Sequence, residues 1–224
     1  MNKTKAKKCI DILMAIVLMF LMAYQVTGEA LHEWTGVTMT VLVVLHHILN
    51  IRWYGALLKG KYNAYRAVLT IVNLLLMASF ILTAFCGMSM SGYAVPFLYG
   101  MAPVSLVRVV HLALSHWSFV LMGIHIGLHL RGVMNRQDTS RGLRMVISVC
   151  FMICASWGFY LFLKNGFMTY MTFRAHFAFL DYDKAGWLVL VENVAMLSTW
   201  VFIGLQIAQM LAPSRGNESG NLSP

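Results

Sequence analysis

The sequence predicts an all-α membrane protein, one polytopic bundle of six transmembrane helices in which a two-helix unit occurs twice. Three observations predict it. Hydrophobic residues make up 59% of the 224 positions and charged residues 11%, against about 45–50% and about 25% in an ordinary soluble domain. Six apolar stretches approach or exceed the roughly 20 residues that a helix needs to cross a hydrocarbon core about 30 Å thick. Two of those stretches also carry histidines at one repeated spacing.

The first span is expected at residues 10–27, behind the basic start MNKTKAKKCIDIL. A signal peptide shares that layout. This run is long enough to span, however, and no small-x-small cleavage site follows it, so it reads as a retained first helix. The other spans are expected at 30–53, 67–88, 104–130, 143–163 and 187–211. Linkers 54–66 and 131–144 are basic and polar, while 89–103 is uncharged and rich in Gly, Pro and Tyr. Segment 164–186 is too polar to span but rich in Phe and Tyr; it reads as a cap over the outer end of the bundle or as a plain amphipathic connector. Residues 1–211 form one domain, with the internal repeat at about 10–54 and 88–133, and 212–224 is a polar tail expected to be disordered.

Charge sets the expected orientation. With the N-terminus in the cytoplasm, thirteen of the seventeen Lys and Arg residues fall on the inner side, and only Arg108, Lys164, Arg174 and Lys184 remain outside. The positive-inside rule therefore puts both termini in the cytoplasm of a multi-pass protein of the cytoplasmic (inner) membrane. The net charge of +9 does not imply nucleic acid as a partner, because no basic face with interleaved aromatics lies outside the spans. Cys9, Cys86, Cys150 and Cys154 form neither CxxC nor CxxCH. That pattern excludes covalent c-type haem, a thiol redox motif and a cysteine-based zinc site.

The histidines carry the chemistry. His32 and His46 lie fourteen residues apart in span two, and His111 and His125 lie fourteen apart in span four. Fourteen helical steps return to within ~40° of the same face and rise ~21 Å. Each pair of imidazoles thus leaves one helix face near opposite sides of a bilayer. The offset from His32 to His111 equals that from His46 to His125, 79 residues. Spans two and four run in the same direction, so His32 faces His111 at the outer level and His46 faces His125 at the inner level. An ionisable group inside a membrane is costly and calls for a partner. Two imidazoles at each of two levels are the axial ligand set for two haem b groups. The levels are too far apart to serve one zinc, copper or iron ion.

The faces read His32, Gly36, Met39, Val43, His46 and His111, Ser115, Ser118, Met122, His125, with small residues where a macrocycle must approach the backbone. Arg108, one turn before His111, is the expected outer propionate partner or an interface anchor; Arg52 and Arg131 are the inner equivalents. His47 is an alternative to His46. His129 is a propionate partner or substitute ligand, His116 reads as structural, and His176 as a surface residue. Glu192 reads as a hydrogen-bonding group between helices or as part of a proton path beside a quinone site, and Asn73 as a hydrogen-bonding group between helices.

At HEWTG (32–36), HHILNIRWY (46–54), HLALSHWSFVLMGIHIGLHL (111–130) and FRAHFAFLDYDKAG (173–186), the chain resembles the flavinylation-associated cytochrome family. The resemblance covers most of the chain from residue 28 onward. By position, His32, His46, His111 and His125 match that family's histidines, while Ser-His-Trp at 115–117 departs from the Ser-Tyr-Trp of relatives. The resemblance implies a transmembrane haem b protein whose partner is an extracytosolic flavoprotein with covalently attached FMN. Electrons are then expected to come from a membrane quinol or a cytoplasmic donor. No nucleotide-binding loop is legible, so a nicotinamide or flavin must come with a partner. The competing expectation is an oxidoreductase, a quinol oxidoreductase or ferric-reductase-like core using the same two haems.

Overall fold

The structure, a computed structural model, describes residues 3–134 and 140–211. The expected tail and the middle of the 131–144 linker lie outside these residues. Among them the chain forms eight α-helices and no strand: α1 (Lys3–Met22), α2 (Tyr24–Leu49), α3 (Arg52–Ala56), α4 (Ala64–Met90), α5 (Val104–Met134), α6 (Arg141–Lys164), α7 (Phe167–Met171) and α8 (Gly186–Leu211). A short 3-10 turn, Pro96–Leu98, interrupts the loop between α4 and α5.

Among the described residues, four helices are long and apolar enough to cross a membrane: α4, α5 up to Arg131, α6 from Met145, and α8. Their outer faces expose Ile71, Leu75, Ile81, Ile153 and Val194, as lipid-facing surfaces do. The chain is a membrane protein by this measure. Helices α1 and α2 have the length but are less apolar. Five charged residues crowd the first half of α1, and α2 carries three histidines and two glutamates.

Helix α8 is the centre of the bundle. Nine of its residues are buried, including Ala195, Met196, Gly204 and Leu205. Glycines let its neighbours close on it. A Cβ on Gly127 of α5 would strike the backbone of α8 at Val201 and Leu205, and one on Gly204 would strike Ile124 of α5. Gly158 makes the same notch in α6 against Ala195, beside the bond from Thr199 Oγ1 to the Ala155 carbonyl at 2.7 Å. In a lipid phase, such close approach supplies dispersion contacts that the solvent does not drive.

Helices α1 and α2 form an antiparallel hairpin. The expected first span ran to residue 27, but the helix ends at Met22 and restarts at Tyr24 around the fully buried Ala23. Gly28 then breaks α2 again with φ +65°, a conformation glycine adopts without Cβ strain. The far end of the hairpin is closed by Lys7 Nζ donating to Asn50 Oδ1 at 2.8 Å. Helix α2 leans on α1, has sparse backbone contact with α4 and α8, and has still less with α5. The 79-residue offset relates α2 to α5; ahead of α5 stands the 91–103 loop, where α1 stands ahead of α2.

Segment 164–186 does cap one end. Gly166, at φ +69°, turns the chain out of α6 into α7, whose Phe167, Tyr170 and Met171 are buried. Trp117 Nε1 of α5 donates to the Met171 carbonyl at 3.0 Å.

Gly127→Val and Gly158→Val are each expected to destabilise the bundle by about 1–3 kcal/mol or more, the usual cost of overpacking. Gly142→Ala, where a Cβ meets nothing, should leave stability unchanged. Thermal melts in mild detergent read both.

Candidate functional site: two histidine levels

Four histidines singled out by spacing come together as two levels. At one end of the bundle the rings of His32 and His111 stand 6.3 Å apart between centroids, at 74°. A metal–imidazole bond of about 2 Å on each side sets two facing rings roughly 6 Å apart, so this separation suits one metal atom shared between them. At the other end His125 lies within electrostatic reach of His46 and His47, and its ring is 4.7 Å from that of His129. No ring contact joins His46 to His125, so this level is the looser one. Helices α2 and α5 are parallel, as expected, since their first histidines meet at one end and their second at the other.

The Nδ1 atoms are held by neighbours. His111 Nδ1 lies 3.0 Å from the Thr83 carbonyl, which accepts. His125 Nδ1 lies 2.8 Å from Asn73 Oδ1, and His46 Nδ1 lies 2.8 Å from Asp11 Oδ1. A proton on Nδ1 donated to each acceptor leaves the Nε2 lone pair free, the tautomer a metal-ligating histidine needs. His32 differs: its Nδ1 is buried with no hydrogen-bond partner, and its nearest aromatic neighbour is Tyr24, edge-on at 5.1 Å.

The layer between α2 and α5 is partly filled, since Met39 and Leu42 of α2 lie in one buried cluster with Phe119 and Val120 of α5. Although enclosed by protein at longer range, His111 and His125 remain half-buried rather than fully buried, as groups lining a crevice do. A Cβ on Gly36, between His32 and His46, would meet nothing within 4 Å. Ser118 turns from this space toward α4, donating to Ser79 Oγ at 3.0 Å. Among the described residues, no three His, Cys, Asp or Glu side chains converge as a set that could hold a metal ion. Two imidazoles at a level fall short of the four ligands of a closed structural zinc site.

The remaining histidines have other surroundings, except His129, whose ring stays beside that of His125. His47 Nδ1 takes the Tyr54 hydroxyl at 2.8 Å. His116 stacks on Tyr170 with centroids 4.4 Å apart and 8° between planes, and its Nδ1 bonds the Leu112 carbonyl at 2.7 Å, so it belongs to the packing under the cap. His129 and His176 are exposed. Arg108 places its guanidinium carbon 5.4 Å from the Phe177 ring centroid, a cation–π contact that ties the cap to α5 one turn before His111. No family model matches the chain, and no curated protein or solved structure matches it significantly.

Two carboxylates brace the site. Glu33, next to His32, accepts from Ser91 Oγ at 2.7 Å and from the backbone amides of Gly92, Tyr93 and Ala94 at 2.8–2.9 Å. It thereby pins the start of the long run of α2 to the loop after α4. Glu192 accepts from Lys184 Nζ at 2.7 Å and Asn165 Nδ2 at 3.2 Å, joining α8 to the cap and to the end of α6. Of the two expectations for Glu192, the hydrogen-bonding one describes what it does here. Spacing alone did not mark Asp11, Asn73 or Glu33 as parts of the site. The available signal was polarity at helix positions among apolar neighbours.

Glu33→Gln removes a charged acceptor from three backbone amides. A hydrogen bond to a charged group contributes about 1.5–3 kcal/mol, so exchange at residues 92–94 should speed up roughly tenfold or more. Hydrogen–deuterium exchange of the detergent-solubilised chain reads this directly.

Proposed function

We propose that the chain is a dihaem b-type cytochrome of the flavinylation-associated type, crossing the cytoplasmic membrane six times with both termini in the cytoplasm. It carries electrons across that membrane from a quinol or cytoplasmic donor to an extracytosolic FMN-bearing protein. The observation that carries this proposal is the pairing of His32 with His111 while His46 and His125 gather at the other end. In three of these four histidines Nδ1 is engaged and Nε2 is left free.

The residues present fit two haem groups. His32 and His111 would hold one, and His46 and His125 the other. The unfilled Cβ position at Gly36 and the sparse backbone contact of α2 with α5 suit flat ligands toward the two ends, with Met39 and Leu42 packed into the core between the levels. With two imidazoles on its iron, a bound haem supplies one-electron chemistry and offers no open position for oxygen or substrate. The chain does the rest. Thr83, Asn73 and Asp11 fix ring orientation and strengthen Nε2 as a donor. Glu33 and the α1–α2 hairpin hold α2 at a set distance from α5. Arg108 puts a positive charge one turn from His111, suited to a propionate. The helix faces bearing Ile71, Leu75 and Val194 keep water and bulk redox partners away from the centre.

Positive charge supports the orientation, since the basic residues cluster at the His46 end of the bundle. Six spans require α1 and α2 to cross beside the four more apolar helices. Several of their polar groups have partners within the chain: Asp11 to His46, Lys7 to Asn50 and Glu33 to the 91–94 loop.

Purified chain is expected to hold two haems, counted by pyridine haemochrome against protein. His32→Ala and His111→Ala should each leave one haem, and it should be the same one. His116→Phe should keep both. Two haems in either alanine variant would refute the pairing.

A further inference from the structure

The two levels are built unlike one another. At the His46 end both ligand imidazoles lean on side-chain acceptors, the Asp11 carboxylate and the Asn73 amide oxygen, each at 2.8 Å. At the His32 end His111 has only a backbone carbonyl, at 3.0 Å, and His32 Nδ1 has no partner. Asp11 is the one acceptor of the three with a full negative charge. A charged acceptor draws the Nδ1 proton and makes Nε2 a stronger donor. Stronger donation and nearby negative charge favour the oxidised iron over the reduced one.

The side chains of Asp11 and His46 are 51% and 24% exposed. Two groups bear on the carboxylate without bonding it. Lys7, one turn earlier, donates to Asn50 instead, and His129 lies within electrostatic reach. The carboxylate's hydrogen bond goes to His46.

We infer that Asp11 is a positioning residue that sets the His46–His125 haem at a lower potential than the His32–His111 haem, so that electrons run downhill from the His46 end to the His32 end. This rests on the dihaem proposal above. In each transfer the His46 level is oxidised by one electron and the His32 level is reduced by one. No bond forms or breaks, and no proton needs to pass between them.

The test is a spectroelectrochemical titration of the haem-loaded full-length chain in detergent. Wild type should titrate in two one-electron steps, and His111→Ala should lose the upper one. Asp11→Asn keeps an acceptor oxygen but removes the charge; it should raise the lower step, leave the upper in place, and narrow the gap. Asp11→Glu should restore the wild-type gap. If Asp11→Asn binds haem poorly, Asn73→Asp puts a second carboxylate at the same level and should move the lower step further down. Two haems with an unmoved lower step in these variants, or loss of the lower step in His111→Ala, would overturn the inference and leave the dihaem proposal standing. A wild-type chain that binds no haem would overturn both.

Discussion

The architecture depends on what an imidazole requires inside an apolar bundle. A buried ring nitrogen without a partner is expensive where there is little water to serve it, and each ring has two nitrogens. Thr83, Asn73 and Asp11 serve the Nδ1 atoms of His111, His125 and His46. Their Nε2 atoms then share a need with His32, and the pairing of levels across α2 and α5 gives that need a direction. Compare His116: its ring is taken up by Tyr170, Phe167 and the Leu112 carbonyl, and it faces the cap instead.

Around this requirement the bundle divides into a tight half and a loose half. Helices α4, α5, α6 and α8 close on one another, with glycine notches where α5 and α6 meet α8. The α1–α2 hairpin joins the core through Met14, Leu18, Met39 and Leu42, which lie in one buried cluster with Phe119 and Val120 of α5, and it is fastened by polar groups toward its ends, Glu33 at one and Asp11 and Lys7 at the other. Its backbone stays further from α5 than the glycine notches bring α5 and α6 to α8, so side chains fill the layer between α2 and α5. The expense of charged groups in an apolar setting is lessened by using each as a fastening.

Most of the helical plan was legible in the sequence, because apolar length and span-end charge are properties of whole segments. The boundaries of α4, α5, α6 and α8 fall within a few residues of those expected. The reversal at Ala23 was not legible: alanine favours helix, and no Gly or Pro marks the position. The break at Gly28 was legible, since it falls between the expected spans 10–27 and 30–53. The two histidine levels were legible because a period survives translation along a helix. Their acceptors were not, since Asp11, Asn73 and the Thr83 carbonyl lie 28–52 residues from the rings they hold, on helices whose rotation the sequence does not specify. Asn73 read as a hydrogen-bonding group between helices, which it is, but the sequence did not name His125 as its partner. A backbone carbonyl leaves no trace in sequence at all.

The central claim is that each of two irons is held by a pair of imidazoles, one from α2 and one from α5. Electron paramagnetic resonance of the oxidised, haem-loaded chain tests it most directly. The account predicts only low-spin ferric signals, integrating to two centres per chain. A substantial high-spin signal from an iron with an open position, or integration to a single centre, would contradict it.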